Sequence, residues 1–124
     1  MILIIGGAYQ GKLDFAKAAF SLNPEDIFTC TGTEIDFSKR CIRALEEFCY
    51  ACVQKGIDPA AFFQEHKDAW QDSILICNDL SSGVVPMDPV QRQWRHTTGQ
   101  LCQYLAGQAR QVSRIFCGLE QRLK

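Results

Sequence analysis

Long apolar runs, basic clusters and histidines are what this 124-residue sequence has least of. No stretch reaches the ~18 apolar residues that would cross a bilayer. The opening "ILII" is too short for a secretory core, has no positive segment before it and runs straight into glycines. No membrane partner is expected, and the expected address is the cytoplasm. Basic residues never cluster and the net charge is −1, so the stripe that marks a nucleic-acid partner is absent. Repeats, low-complexity segments and linkers are also lacking. With only two histidines, and no second C-x-x-C or histidine pair at finger spacing, a zinc module is excluded.

What is present is an ordinary globular composition, 47% hydrophobic and 22% charged, with seven cysteines. The odd cysteine count without a leader reads as small buried hydrophobes in a reducing compartment. "CYAC", Cys49 to Cys52, falls within a helix rather than at a helix start, so core packing is preferred over redox chemistry. The length suits one domain, residues 1–124.

Met1–Ile5 is an uninterrupted apolar run closed by glycines, which suits a strand buried on both faces. "KLDFAKAAF" from Lys12 reads as a helix, and "DIFTC" as a second strand. Ile42, Leu45, Cys49 and Cys52 form a helical stripe with Phe48 and Val53. Arg40, Arg43, Glu46, Glu47, Gln54 and Lys55 lie on its other side, and Gly56 stops it. Asp58–Pro59 and Asp88–Pro89 each open a further helix, the second extending over about six turns to Val112. "SILIC" (Ser73–Cys77) and "SRIFC" (Ser113–Cys117) are strands, and Gly118 opens a short tail. These elements predict a single α/β domain, a mainly parallel sheet flanked by helices.

"GGAYQGKL" meets the phosphate-loop pattern G-x-x-x-x-G-K-[ST] from Gly6 to Lys12 and departs from it at Leu13, where a hydroxyl would ligate magnesium. A glycine turn between strand and helix aims backbone N–H groups and the positive helix end at one point. Gly6, Gly7, Ala8, Tyr9, Gln10, Gly11, Lys12 and Leu13 are therefore the candidate phosphate site. Lys12 supplies mobile charge, and a metal would have to rely on phosphate, water and a carboxylate from elsewhere. "CNDLSSGVVPMD" supplies one: Asn78 and Asp79 follow a strand end, on the rim where open α/β sheets bind ligands. Asp79 is the candidate magnesium ligand or proton acceptor, and Lys12 and Asp79 are the candidate catalytic pair.

"GGAYQGK", "CNDLSSGVVPMDPVQRQWRHTTGQLCQYLA" and "RIFCGLEQRLK" together resemble the adenosylcobinamide kinase / adenosylcobinamide-phosphate guanylyltransferase family. That family has a loop G-G-A-x-S-G-K-S, then N-E-V-G-x-G-[IV]-V-P and R-x-[FY]-R-D-x-x-G-x-x-N-Q. Asn78, Asp79, Gly83, Val85 and Pro86 match the middle motif, with Asp79 in place of Glu. Arg92, Trp94, Arg95, Gly99 and Gln103 match the helix motif. The resemblance implies a P-loop NTPase-like α/β fold, ATP or GTP with Mg²⁺, a corrinoid substrate (adenosylcobinamide) and a homo-oligomer, commonly a trimer. It implies phosphorylation of the corrinoid's aminopropanol arm, then nucleotidyl transfer through a histidine that takes up GMP.

The departures form a pattern. Leu13 replaces the loop Ser, Ser81 a middle-motif glycine, and His96 the helix acid. The histidine-rich helix R-H-R-x-x-R and the strand D-C-L-T-x-W have no sequence counterpart. His66 precedes a tryptophan as the family histidine does, but lacks the surrounding arginines, so it reads as a half-exposed helical histidine. Two functions stay open: a shortened phosphotransferase, or a nucleotide- or corrinoid-binding relative without transfer chemistry.

Overall fold

The computed structural model describes residues 1–80 and 87–124. In chain order it contains β1 (Ile2–Gly6), α1 (Lys12–Phe20), β2 (Ile27–Thr29), β3 (Cys41–Arg43), α2 (Leu45–Lys55), α3 (Pro59–Glu65), β4 (Ile74–Asn78), α4 (Pro89–Gln108), β5 (Gln111–Phe116) and β6 (Leu119–Arg122). The six strands form one sheet in the order β2-β3-β4-β1-β5-β6. All neighbours run parallel except β5 and β6. This is the α/β, mostly parallel architecture of P-loop proteins that the apolar strand runs predict.

The central strands are apolar on both sides because both sides are covered. Ile2, Ile4, Ile74, Ile76 and Ile115 pack with Ala16 of α1 on one face. Leu3, Ile42, Leu75, Cys77 and Val112 meet α2, α3 and α4 on the other, through Leu45, Phe48, Cys49, Phe63, Leu101 and Leu105. Trp70 is fully buried there, and its indole N–H donates to the Phe63 carbonyl at 2.8 Å. Asp58 and Asp88 cap α3 and α4 by accepting from Ala60 N (3.1 Å) and Val90 N (2.9 Å), as the Asp–Pro pairs predict.

Three boundaries differ from the sequence reading. Ile42 belongs to a strand, not to the stripe of α2: Cys41 and Ile42 pair with Ile74 and Leu75 of β4. Ala44 then takes a left-handed conformation (φ 60°), which breaks the chain before Leu45 starts the helix. The sheet therefore has a short strand, Cys-Ile-Arg, between β2 and β4. Helix α4 ends at Gln108, and Val112 lies in β5. The expected tail is β6, joined to β5 by a two-residue turn whose members, Cys117 and Gly118, have φ of 52° and 75°. Both values are those of the hairpin turn that matches strand twist.

Candidate functional site

The carboxyl ends of β1, β3 and β4 converge on one cleft of about 500 Å³. Ala8, Tyr9, Gly11, Lys12 and Leu13 come from the loop after β1; Arg43 and Ala44 end β3; Glu46 opens α2; Asn78 ends β4. Glycine is required at two points of the loop. A Cβ on Gly6 would lie 2.5 Å from the Ile115 carbonyl oxygen of the neighbouring strand. Gly11, with φ 91°, turns the chain into α1 and carries no side chain to cap it. The first-turn N–H groups of a helix have no acceptor within the helix, and the residues of this turn, Lys12, Leu13 and Asp14, line the cleft.

Gln10 holds this loop rather than lining it. Its side-chain oxygen accepts from Cys117 N at 2.7 Å and its carbonyl accepts from Gly118 N at 2.8 Å. The β5–β6 turn thus buttresses the glycine loop, and Gly6, Gly7 and Gln10 do not line the cleft. Asp79 N donates to the Gly6 carbonyl at 2.8 Å, which ties the exit of β4 to the same loop.

Lys12 is buried, and its ammonium donates to the Gly7 carbonyl at 2.6 Å. Burial pushes its pKa below the usual lysine value, and the Glu46 carboxylate partly offsets that shift. Glu46 is the functional candidate that the helical periodicity misplaces. It was assigned to the solvent side of α2, but it is buried at the cleft, where Oε1 accepts from Asn78 N at 3.0 Å. Trp94 of α4 fixes it from outside, donating its indole N–H to the Glu46 carbonyl at 2.7 Å. The signal in the sequence is faint: an acid three residues past a three-residue strand.

Asp79 is exposed and lines an adjoining cavity of about 300 Å³ with Asn78, Arg95, Thr98, Gly99, Cys102 and Gln103. The structure therefore brings Lys12 together with Arg43, Glu46 and Asn78, and sets Asp79 with Arg95 next door; Asn78 lines both cavities. Leu13 lines the cleft and also packs against the α1-side core. Arg92 and His96 are exposed on α4. Gly83, Val85 and Pro86, with Ser81, lie outside the described residues. His66 lines neither cavity: it is exposed at the end of α3, stacked on Phe62 with ring centroids 4.2 Å apart.

The cysteines divide by burial. Cys30, Cys41, Cys49, Cys52 and Cys77 are buried free thiols, and Cys117 is exposed. Burial raises Cys30 to about 12 and Cys41 and Cys52 to about 11, and it raises Cys49 further still. The "CYAC" pair is therefore inert packing in α2. A thiol reagent on the native chain is expected to label Cys117 quickly. Cys49 and Cys52 should react only after denaturation; native labelling of either, seen by peptide mass spectrometry, would contradict that assignment.

A family model described as cobinamide kinase / cobinamide phosphate guanyltransferase matches residues 51–123. The chain belongs to that family. The match covers α3, β4, α4, the β5–β6 hairpin and the C-terminal end of α2 from residue 51. It begins after the glycine loop, so the loop's assignment rests on its own geometry. The family is one of cobalamin-biosynthesis kinases and transferases that use nucleotide and corrinoid substrates. A search of curated proteins finds no relative of this chain. No helix among the described residues is long and apolar enough to cross a membrane.

Proposed function

We propose that the chain works as one domain that binds ATP or GTP phosphates in the Gly6–Lys12 loop and transfers a phosphoryl group to the aminopropanol hydroxyl of a corrinoid such as adenosylcobinamide. The observation that carries this reading is the convergence of Lys12, Arg43, Glu46 and the uncapped start of α1 on one cleft. Phosphoryl transfer asks for little covalent chemistry from a protein; positioning and charge stabilisation do most of it. The loop N–H groups hold the phosphates, and Lys12 swings from the Gly7 carbonyl to the terminal phosphate. Arg43 neutralises charge from the β3 side.

The corrinoid approaches from the adjoining cavity, where Asp79 takes the hydroxyl proton. The alcohol oxygen bonds to phosphorus as the bridging oxygen leaves with the nucleoside diphosphate. Among the described residues no three His, Cys, Asp or Glu side chains cluster to hold a metal alone. Glu46 and Asp14, both lining the cleft, are the carboxylates that fit Mg²⁺ alongside phosphate and water. When bound, the ion supplies charge neutralisation on the phosphates.

Guanylyl transfer is not part of this proposal, because the exposed, aromatic-stacked His66 lies outside both cavities. Leu13 packed into the α1-side core supports the second reading, nucleotide or corrinoid binding without transfer. The chain mixed with ATP or GTP, Mg²⁺ and adenosylcobinamide separates the two. Phosphorylated corrinoid that depends on Lys12 supports the kinase, binding without product supports the second reading, and binding of neither nucleotide overturns both. Leu13→Ser is expected to strengthen Mg²⁺-dependent nucleotide affinity by about tenfold, the worth of one charge-assisted contact. An unchanged Mg²⁺ response in titration calorimetry would show that position 13 does not reach the ion.

A further inference from the structure

Strand β6 is the last strand of the sheet, and the hairpin that carries it exposes more apolar surface than an edge normally does. Phe116, Leu119 and Leu123 are 58%, 73% and 53% exposed. An exposed apolar edge strand is a ready-made template for pairing with another chain. We propose that β6 pairs antiparallel with β6 of a second copy of this chain, on a twofold axis through Gln121.

The register follows from the hairpin. Leu123 N donates to the Val112 carbonyl at 2.8 Å, so position 123 spends its backbone groups on β5. Antiparallel pairs alternate, so Leu119 and Gln121, opposite Phe116 and Arg114, do the same. The backbone groups of Glu120 and Arg122 then point outward, and only these two positions of β6 can bond across a new edge.

Three twofold registers are compatible with that parity near the strand centre. An axis through Glu120 sets Glu against Glu, and an axis through Arg122 sets Arg against Arg. The axis through Gln121 sets Glu120 against the partner's Arg122, twice. It also brings Leu119 opposite the partner's Leu123, twice, on the other face of the sheet. Glu120 is already oriented by Ser113, whose Oγ donates to its Oε2 at 2.7 Å, and Arg122 Nε donates to the Lys124 carbonyl at 2.9 Å. Each retains further acceptors or donors for the partner. Charge and apolar complementarity therefore select one register and one occupant, and the product is a continuous sheet of two chains. A twofold contact closes on itself, so it makes dimers, or joins two rings if the chain also forms a ring.

Charge reversal tests the register through the assembled mass, read by sedimentation or light scattering. Glu120→Arg and Arg122→Glu, each checked for folding by circular dichroism, are expected to halve the mass. Their pairing should weaken by about tenfold or more, because like charges then meet twice. A 1:1 mixture of the two variants restores the wild-type mass, since each then faces its opposite charge, and so does the double swap. A monomeric wild type, single variants of wild-type mass, or a mixture that fails to assemble would overturn the proposal. Should either variant fail to fold, Gln121→Cys in a Cys117→Ser background gives a second reading. Diamide is expected to cross-link Gln121→Cys into a disulfide dimer and to leave Leu119→Cys uncross-linked. Equal cross-linking of the two, or none at position 121, would overturn the register.

Discussion

Lys12→Ala is expected to bind ATP or GTP about one to two orders of magnitude more weakly than the wild type, the usual worth of a hydrogen-bonded charge. The fold should survive the change. Lys12 is buried without an apolar role, its ammonium held by the Gly7 carbonyl and its charge opposed by burial. Removing the charge therefore relieves a desolvation cost in the empty chain while removing the main phosphate contact from the loaded one.

The two effects carry opposite signs, which makes the variant diagnostic. The folded pKa of Lys12 lies below the ordinary value of 10.5, so between the two values the unfolded chain binds the extra proton. Stability then rises with pH through that window, and Lys12→Ala should flatten this part of the profile. Titration calorimetry reads the affinity, and denaturant melts at several alkaline pH values read the slope. Unchanged nucleotide affinity would show that Lys12 is a structural lysine.

Gly6→Ala carries the largest expected loss of stability. The added Cβ would sit 2.5 Å from the Ile115 carbonyl oxygen, and that oxygen is backbone in a central strand, with no rotamer to move. Relief requires β1 and β5 to part at the point where the loop begins. The cost is about 2–3 kcal/mol by the measure of overpacked cores, or roughly 8–12 °C in Tm for a chain of this size. Nucleotide affinity should fall as well, because the same movement pulls the loop from the Gln10 clamp on the β5–β6 turn. A Tm within about 2 °C of wild type would mean that the strands separate more readily than the contact implies.

Most of the sheet could be read before any coordinates existed. "MILII" and "SILIC" are apolar on both faces because they are covered on both faces, and the apolar run alone reports that. Helix starts were legible where Asp precedes Pro. Two of the three misplaced boundaries share one cause: β3 and β6, three and four residues long, are too short for periodicity to set them apart from their neighbours. "CIR" merged into the stripe of α2 because Ile42 happens to stand three residues before Leu45, and only sheet pairing and the left-handed Ala44 separate them.

That single error hid Glu46. Read as helix surface, it is a solvated acid; placed after the exit of a strand, it is a buried carboxylate lining the cleft beside Lys12. Asp79 was correctly placed on the sheet's carboxyl rim, but adjacent rim positions serve different cavities, and one residue decides between them: Asn78 lines both and Asp79 only the second. The role of Gln10 had no sequence signal at all, because its partners Cys117 and Gly118 lie more than a hundred residues away.

The most direct test is equilibrium binding of ATP and of GTP to the wild-type chain with Mg²⁺, followed by calorimetry and repeated with Lys12→Ala. Saturable one-site binding of at least one nucleotide, weakened in the variant, is the predicted result. A folded chain that binds neither nucleotide would contradict the assignment of Gly6–Lys12 as a phosphate site.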